Sequence, residues 1–332
     1  MPNTQNDETH TWSSRSKLIA QMSQQSWDLV VIGGGITGAG IAREAVRRGF
    51  SVALFERQDF AWGTSSRSSK MVHGGLRYLA RGDVFTTLHS VRERERLMTE
   101  VPGLVDEMEY LMPHYQGRFP GPFLFGLLLR GYDFLAGKRY RQFYNKKTIQ
   151  QRFPMMQTDG LAGATGFSDA VTDDSRLVMR VLHEARRQGA CIINYMGVSD
   201  VAQDADGVTV TVQNYASPSK VGKGAKNVED AKPGEPMPDE PAETYQVRAK
   251  CVVNATGAWA NQFDKADGKD APNIRPARGS HIVIDSKKLP IDASFTVLHP
   301  RDNRPIFVYP WLGRTVIGTT DLDHPALGNA EV

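Results

Sequence analysis

The sequence predicts an α/β fold that opens on a parallel strand–helix–strand unit and continues into mixed strands. Three observations carry this. The apolar run DLVVIG, Asp28 to Gly33, ends in glycines and has the length and make-up of a buried parallel strand. Ile36 to Arg48 follows with helical spacing and stops at Gly49, the residue type that most readily ends a helix. SVALFE, Ser51 to Glu56, is a second buried strand, completing a βαβ unit of about 30 residues.

The remaining elements follow in order. Residues 1–26 are polar and read as a disordered tail. A Ser- and Gly-rich stretch, Trp62 to Leu79, precedes a charged helix over Leu88–Glu100. Proline and aromatic residues over Pro113–Phe134 suggest loops and a cap rather than a regular layer. Asp174 to Gln188 reads as a helix, and CIINYM, VSDVA and VTVTVQN read as strands. The Lys-, Gly-, Pro- and acid-rich residues 215–243 read as a flexible, extended hairpin loop before the strand TYQVRAK. CVVNATG returns as a buried strand. IRPARGSHIVID and PIFVYPWLGRTVIGTT give further strands, with turns at Gly279 and at Leu312–Gly313.

The 332 residues favour two domains at about 150 residues each. Forty Lys plus Arg against 37 Asp plus Glu leave +3, too little basic excess for a dedicated nucleic-acid binder. Cys191 and Cys251 form no CxxC or CxxH, so zinc-ribbon and thioredoxin-type chemistry lack their groups, and no metal is expected. Both cysteines sit in apolar runs and read as buried thiols. The first 26 residues lack the apolar core of a secretory signal, and no run reaches the ~18 to 20 apolar residues that span a bilayer.

Gly33, Gly35 and Gly38 form GxGxxG between the first strand and its helix. Glycines there let the backbone turn tightly and approach a pyrophosphate at the positive helix end, with Ile36 and Thr37 in the same loop. Glu56 ends the second strand, 21 residues beyond Gly35. A carboxylate there accepts ribose hydroxyls and repels a 2′-phosphate, favouring FAD or NAD over NADP, with Arg57 beside it. The motif alone does not separate FAD from NAD. SSRSSKMVHGGLRYL, Ser65 to Leu79, favours FAD: its hydroxyls, lysine, histidine and paired glycines can clamp a pyrophosphate and a flat ring system. NATGAW, Asn254 to Trp259, offers another strand-to-glycine turn at a cofactor crevice.

Together VVIGGGITGAGIAREAVRRG, SSRSSKMVHGGLRYL, DDSRLVM, NATGAWANQF, GSHIVI, RPIFVYPW and VIGTTD resemble the FAD-dependent glycerol-3-phosphate dehydrogenases. These are the membrane-associated, quinone-reducing type within the glycine and D-amino-acid oxidase fold group. The resemblance runs from residue 28 to about 323. Glu44 stands where the family's glycine-helix signature usually has aspartate. The family continues with a GxRPL-like substrate arginine, a GGKxTTYR-like flavin contact and usually a helical domain. None of these follows VIGTTD here, so the resemblance implies a chain lacking its C-terminal part.

The resemblance implies a Rossmann-like FAD-binding domain over 27–92, 160–204 and 250–268. An inserted mixed-sheet substrate or cap domain takes 93–159, 205–249 and 269–332. The implied reaction oxidises sn-glycerol 3-phosphate to dihydroxyacetone phosphate, with hydride passing from C2 to flavin N5 and electrons to a quinone. Arg77 is the first candidate for the substrate phosphate, since a guanidinium pairs with phosphate oxygens bidentately, or for polarising the substrate oxygen, and Arg304 is the second. His281 in GSHIVI is the candidate to take the C2 hydroxyl proton. Ser68, Ser69, Lys70, His73, Gly74, Gly75 and Leu76 are assigned to the cofactor clamp. Ala255, Thr256, Gly257 and Trp259 approach from the opposite side, and Val198 lies near the adenine. Phe119 to Lys147 joins an apolar block holding Phe123, Phe125 and Leu127 to Arg130, Lys138, Arg139, Arg141, Lys146 and Lys147. That pattern suits peripheral attachment to the cytoplasmic face of a membrane. Two alternatives stay open: a related oxidase of glycerol phosphate, 2-hydroxy acids or amino acids, and a catalytically incomplete FAD-binding fragment; assembly as a homo-oligomer also stays open.

Overall fold

The computed structural model describes residues 14–216, 240–263, 274–299, 301–302 and 304–323. The chain divides into two compact units, Met1–Arg67 with Asp174–Ile274, and Ser68–Asp173 with Arg275–Val332. This division assigns 68–92 and 160–173 to the second unit and 205–249 and 269–274 to the first, unlike the segmentation expected from sequence.

The first unit is built on a six-stranded sheet. Trp27–Ile32 lies inside it, with Val52–Phe55 and then Cys191–Ile193 on one side, all parallel. On its other side Glu243–Asn254 runs parallel to it, followed by the antiparallel strands Gly207–Asn214 and Met196–Asp204. The period of two along a strand sends alternate residues to opposite faces. Val31, Val52 and Leu54 meet helices Ile36–Arg47 and Asp174–Arg187 through Ala39, Ala42, Val178 and Leu182. Val30, Ile32, Ala53 and Phe55 fill the other face.

That second face is closed partly by a helix where sequence suggested a disordered tail. Arg15–Gln24 is helical, and Leu18 and Met22, one turn apart, enter the core. Arg15 ties it down by donating to the Asn194 carbonyl (2.8 Å) and to Asn214 Oδ1 (2.9 Å). Residues 1–13 lie outside the described residues. So does most of the expected 215–243 loop. The two strands expected on either side of Lys250 are one continuous strand, Glu243–Asn254. Its antiparallel partner ends at the Ala249–Val208 pair. Beyond that point the strand has a neighbour on one side, and Cys251 is exposed, while Cys191 is buried as expected.

The second unit carries a mixed eight-stranded sheet. Val105–Tyr115 and Leu161–Thr172 pair antiparallel along their length at its centre, and Ser294–Leu298 joins Val105–Tyr115 in parallel. Pro305–Trp311, Arg314–Gly318 and His281–Asp285 extend that side, and Met71–Val72 edges the other. The expected loop region Pro113–Phe134 is instead the end of a central strand and most of a helix, Pro122–Ala136. Pro122 suits the first helical position, and Gly137 ends the helix at φ 66°. Phe125, Leu129 and Tyr132, spaced i, i+4, i+7, pack on Tyr110, Met112 and Phe167 of the sheet. Among the described residues no helix is long and apolar enough to cross a membrane.

Candidate functional site

In the first unit the carboxyl ends of three parallel strands are level, because Ile32 pairs with both Phe55 and Asn254. The strand order reverses about Trp27–Ile32, and α/β proteins bind nucleotides outside such a point. The loop there is held by its own backbone. The Gly33 N–H donates to the Phe55 carbonyl (2.8 Å) and the Ala255 N–H to that of Ile32 (2.9 Å). Gly33 has φ 110°, and a Cβ on it would stand 2.6 Å from the Ala255 carbonyl oxygen. A Cβ on Gly38 would lie 1.9 Å from the Gly33 oxygen. Only glycine lets the helix start this close to the loop.

Glu56 faces the same loop. Its carboxylate accepts N–H bonds from Gly34 (2.7 Å) and Gln58 (2.7 Å). Burial pushes its pKa above the ordinary carboxylate value, against the pull of those N–H groups. Ser65 Oγ accepts the Ile36 N–H (3.0 Å). The first helical N–H groups have no partner within the helix, so those of Thr37 and Gly38 are available to an anion. Across the loop, Asn254 Oδ1 accepts from the Thr256 hydroxyl (2.7 Å), while its amide donates to the Ala260 carbonyl (2.8 Å). Gly257 has φ 60° and begins a 3-10 turn that sets Trp259 6.1 Å from Trp62, ring centre to ring centre. Arg57 lies over the Tyr215 ring at 5.2 Å. Val198 stands on the edge strand beside an irregularity in its pairing. Gly33, Gly35, Ile36, Thr37, Gly38, Glu56 and the 255–257 turn therefore gather at one end of one sheet. The glycine cradle and its donors fit a dinucleotide pyrophosphate.

The second unit holds residues 68–79. Ser69 Oγ is 3.0 Å from His281 Nε2, so the segment meets the strand of the expected substrate domain. Lys70 adopts φ 55°, its N–H donates to Ser68 Oγ (3.1 Å), and its Nζ stands 5.2 Å from the Trp311 ring centre. His73 Nδ1 is 3.2 Å from Asp169 Oδ2, and the Gly74 N–H donates to Asp169 Oδ1 (2.7 Å). A Cβ on Gly74 would overlap the Tyr132 hydroxyl at 1.7 Å. Gly75 has φ 86° and begins the short helix Leu76–Leu79. Leu76 packs against the core there, and Arg77 is exposed. His281, Gly318 and Phe307 lie in register across three strands, and Phe307 sits 5.7 Å from His73, centre to centre. Arg304 immediately precedes that Phe307 strand, Pro305–Trp311, and pairs with Asp302 (3.2 Å). The sequence does not mark Arg94 or Asp169. They are buried polar residues on separate elements, and nothing local in the chain marks their meeting. Asn254 and Ser65 lie within NATGAW and SSRSSKMVHGGLRYL, whose composition does not single out either side chain.

The chain matches the family of FAD dependent oxidoreductases over residues 28–331. The aerobic glycerol-3-phosphate dehydrogenase of Bacillus subtilis (strain 168) is 36% identical over 331 residues, 96% of this chain and 55% of that protein. The protein of the same name from Staphylococcus haemolyticus is 36% identical over 312 residues, 93% and 52%. The chain thus spans about half the length of the curated relatives it matches. Among solved structures it resembles the glycerol-3-phosphate dehydrogenase from Bacillus halodurans complexed with FAD. There the TM-score is 0.70 at 29% identity, over 94% of this chain and 51% of that one. Glycine oxidase from Geobacillus kaustophilus shares the fold, with TM-score 0.58 and 20% identity over 90% and 72%. With its strand–glycine–helix crevice and a match over most of its length, this chain belongs to the FAD dependent oxidoreductase family.

Proposed function

We propose that this chain binds FAD and serves the oxidation of sn-glycerol 3-phosphate to dihydroxyacetone phosphate, with electrons passed to a quinone. The observation that carries the reading is the meeting of Gly33, Gly38, Glu56 and the Asn254–Gly257 turn at level strand ends. It stands beside relatives of 34–36% identity named aerobic glycerol-3-phosphate dehydrogenases. Flavin bound there would supply the redox chemistry as acceptor of the substrate's hydride. The Thr37 and Gly38 amides meet the pyrophosphate and Glu56 a ribose hydroxyl, with Arg57 and Val198 toward the adenosine. Ala255, Thr256, Gly257 and Trp259 flank the cofactor. Ser68, Ser69, Lys70, His73, Gly74, Gly75 and Leu76 supply the clamp.

In the second unit, Arg77 is the first candidate for the substrate phosphate: it is exposed, and its planar fork matches phosphate oxygens. Arg304 is the second. His281 takes the C2 hydroxyl proton, with Ser69 steadying its imidazole. Titrating the chain with FAD tests the first step; saturable binding that Glu56→Gln weakens is expected, and a chain that leaves FAD free in solution refutes it.

The fold is shared with glycine oxidases at 20% identity, so substrate does not follow from fold. The choice of glycerol phosphate over an amino acid rests on the more similar relatives. Because the chain spans about half their length, an FAD-binding chain without turnover is the second reading.

We also propose peripheral attachment to the cytoplasmic face of a membrane through the 119–147 segment. Phe123 and Phe134 are each 85% exposed on helix Pro122–Ala136, and Phe119 precedes them at 75%. Phe123 and Leu127 line a groove of about 860 Å³ with Arg130, Arg139 and Arg141, an apolar surface edged by cations. Phe125 is buried and belongs to the core rather than to that surface. Replacing Phe123, Leu127 and Phe134 with serine abolishes binding to anionic liposomes on this reading; undiminished binding excludes the segment as an anchor.

A further inference from the structure

The second unit contains a buried charged network that the proposed chemistry leaves unused. Arg94 is fully buried. Its Nη1 donates to Asp169 Oδ1 (2.6 Å), to the Tyr132 hydroxyl (2.6 Å) and to the Ser168 carbonyl (3.1 Å). The Tyr132 hydroxyl donates in turn to Asp169 Oδ1 (3.1 Å). With the Gly74 N–H, that one carboxylate oxygen accepts three hydrogen bonds, while Oδ2 faces His73 Nδ1. Burial alone would raise the Asp169 carboxyl, but His73, Arg94 and Gly74 outweigh it and hold it below its ordinary value. Buried ion pairs are weak stabilisers, since desolvation offsets much of their attraction. The arrangement is better explained by what it orients.

An ionised carboxylate can only accept hydrogen bonds, so the imidazole must present N–H to it. In a neutral ring that assigns the proton to Nδ1 and leaves Nε2 an acceptor. The Phe307 and Tyr110 rings stand 5.7 and 6.4 Å from the imidazole centre, limiting its rotation. The clamp backbone lies directly on the network, since only a glycine at 74 clears the Tyr132 hydroxyl. We propose that Asp169, fixed from behind by Arg94 and Tyr132, is a positioning residue that holds His73 as its Nδ1–H tautomer. Nε2 is thereby presented to a hydroxyl-bearing ligand of the clamp. This rests on the reading of residues 68–79 as a ligand-binding segment.

Ring nitrogen NMR on the full chain labelled with [15N]histidine reads the tautomer without any turnover. His73→Gln identifies the signal among the eight histidines. Neutral His73 protonated at Nδ1, with that preference lost in Asp169→Asn, is the expected result. A wild-type ring protonated at Nε2, or an Asp169→Asn ring unchanged from wild type, overturns the proposal. The wild-type spectrum carries the test by itself if Asp169→Asn does not fold. FAD titration of the same sample separates the two readings: a fixed tautomer in a chain that binds no FAD supports the positioning role and refutes only the cofactor assignment.

Discussion

Gly33 and Ala255, far apart in the chain, are packed so closely that a Cβ on the glycine would stand 2.6 Å from the alanine carbonyl oxygen. The contact joins the glycine loop to the NATG turn and sets the floor of the proposed FAD site. The helix start rests on the same loop through Gly38.

Gly38→Ala places a methyl group 1.9 Å from the Gly33 oxygen, and relief requires the helix to move off the loop. Overpacking of this kind costs about 1–3 kcal/mol. Urea unfolding should show that loss, and FAD titration should show binding weakened at least about tenfold, since 1.4 kcal/mol is a factor of ten. Gly40→Ala, in the same helix and meeting nothing within 4 Å, is the clash-free comparison and should gain about 0.5–1 kcal/mol from helix propensity.

Glu56 gives a pH dependence with a definite sign. Burial raises its folded-state pKa above the ordinary 4.5, so the folded chain holds the proton more tightly than the unfolded one. That stability is complete below the ordinary value and is lost as pH rises through the raised value. Glu56→Gln should remove this decline from urea midpoints measured across the same range. It should also weaken FAD binding, by about tenfold for one lost charge-assisted bond.

Arg94 and Asp169 form a buried pair at 2.6 Å. Arg94→Met leaves the carboxylate buried without its cation and should cost about 3–5 kcal/mol in denaturant unfolding. Adding Asp169→Asn removes the unpaired charge, so the double variant should lose less than the sum of the single losses.

Much of this was legible in the chain. The first βαβ unit is legible because its signals are local: an apolar run, three spaced glycines and a terminal acid. The Leu312–Gly313 turn was equally local. In helix Pro122–Ala136 the aromatic and proline content masks the i, i+4, i+7 spacing of Phe125, Leu129 and Tyr132. Helix Arg15–Gln24 was hidden because only Leu18 and Met22 of it are buried. The Arg94–Asp169–His73 network joins a helix, a strand and a loop, so it exists only in three dimensions.

At that turn Leu312 has φ 47° and Gly313 φ 73°, a two-residue hairpin loop with both central residues in the left-handed region. Leu312 is 70% exposed and gains little from burial. Leu312→Asn, a residue that tolerates this conformation, should stabilise the chain by about 0.5–1 kcal/mol. A thermal melt of the variant checks it.

The central claim is tested most directly by adding sn-glycerol 3-phosphate, without oxygen, to the FAD-loaded chain and following the oxidised-flavin band near ~450 nm. The band should bleach, and Arg77→Ala should require far more substrate to bleach it. Bound flavin that stays oxidised with this substrate, yet is reduced by an amino acid, would contradict the assignment.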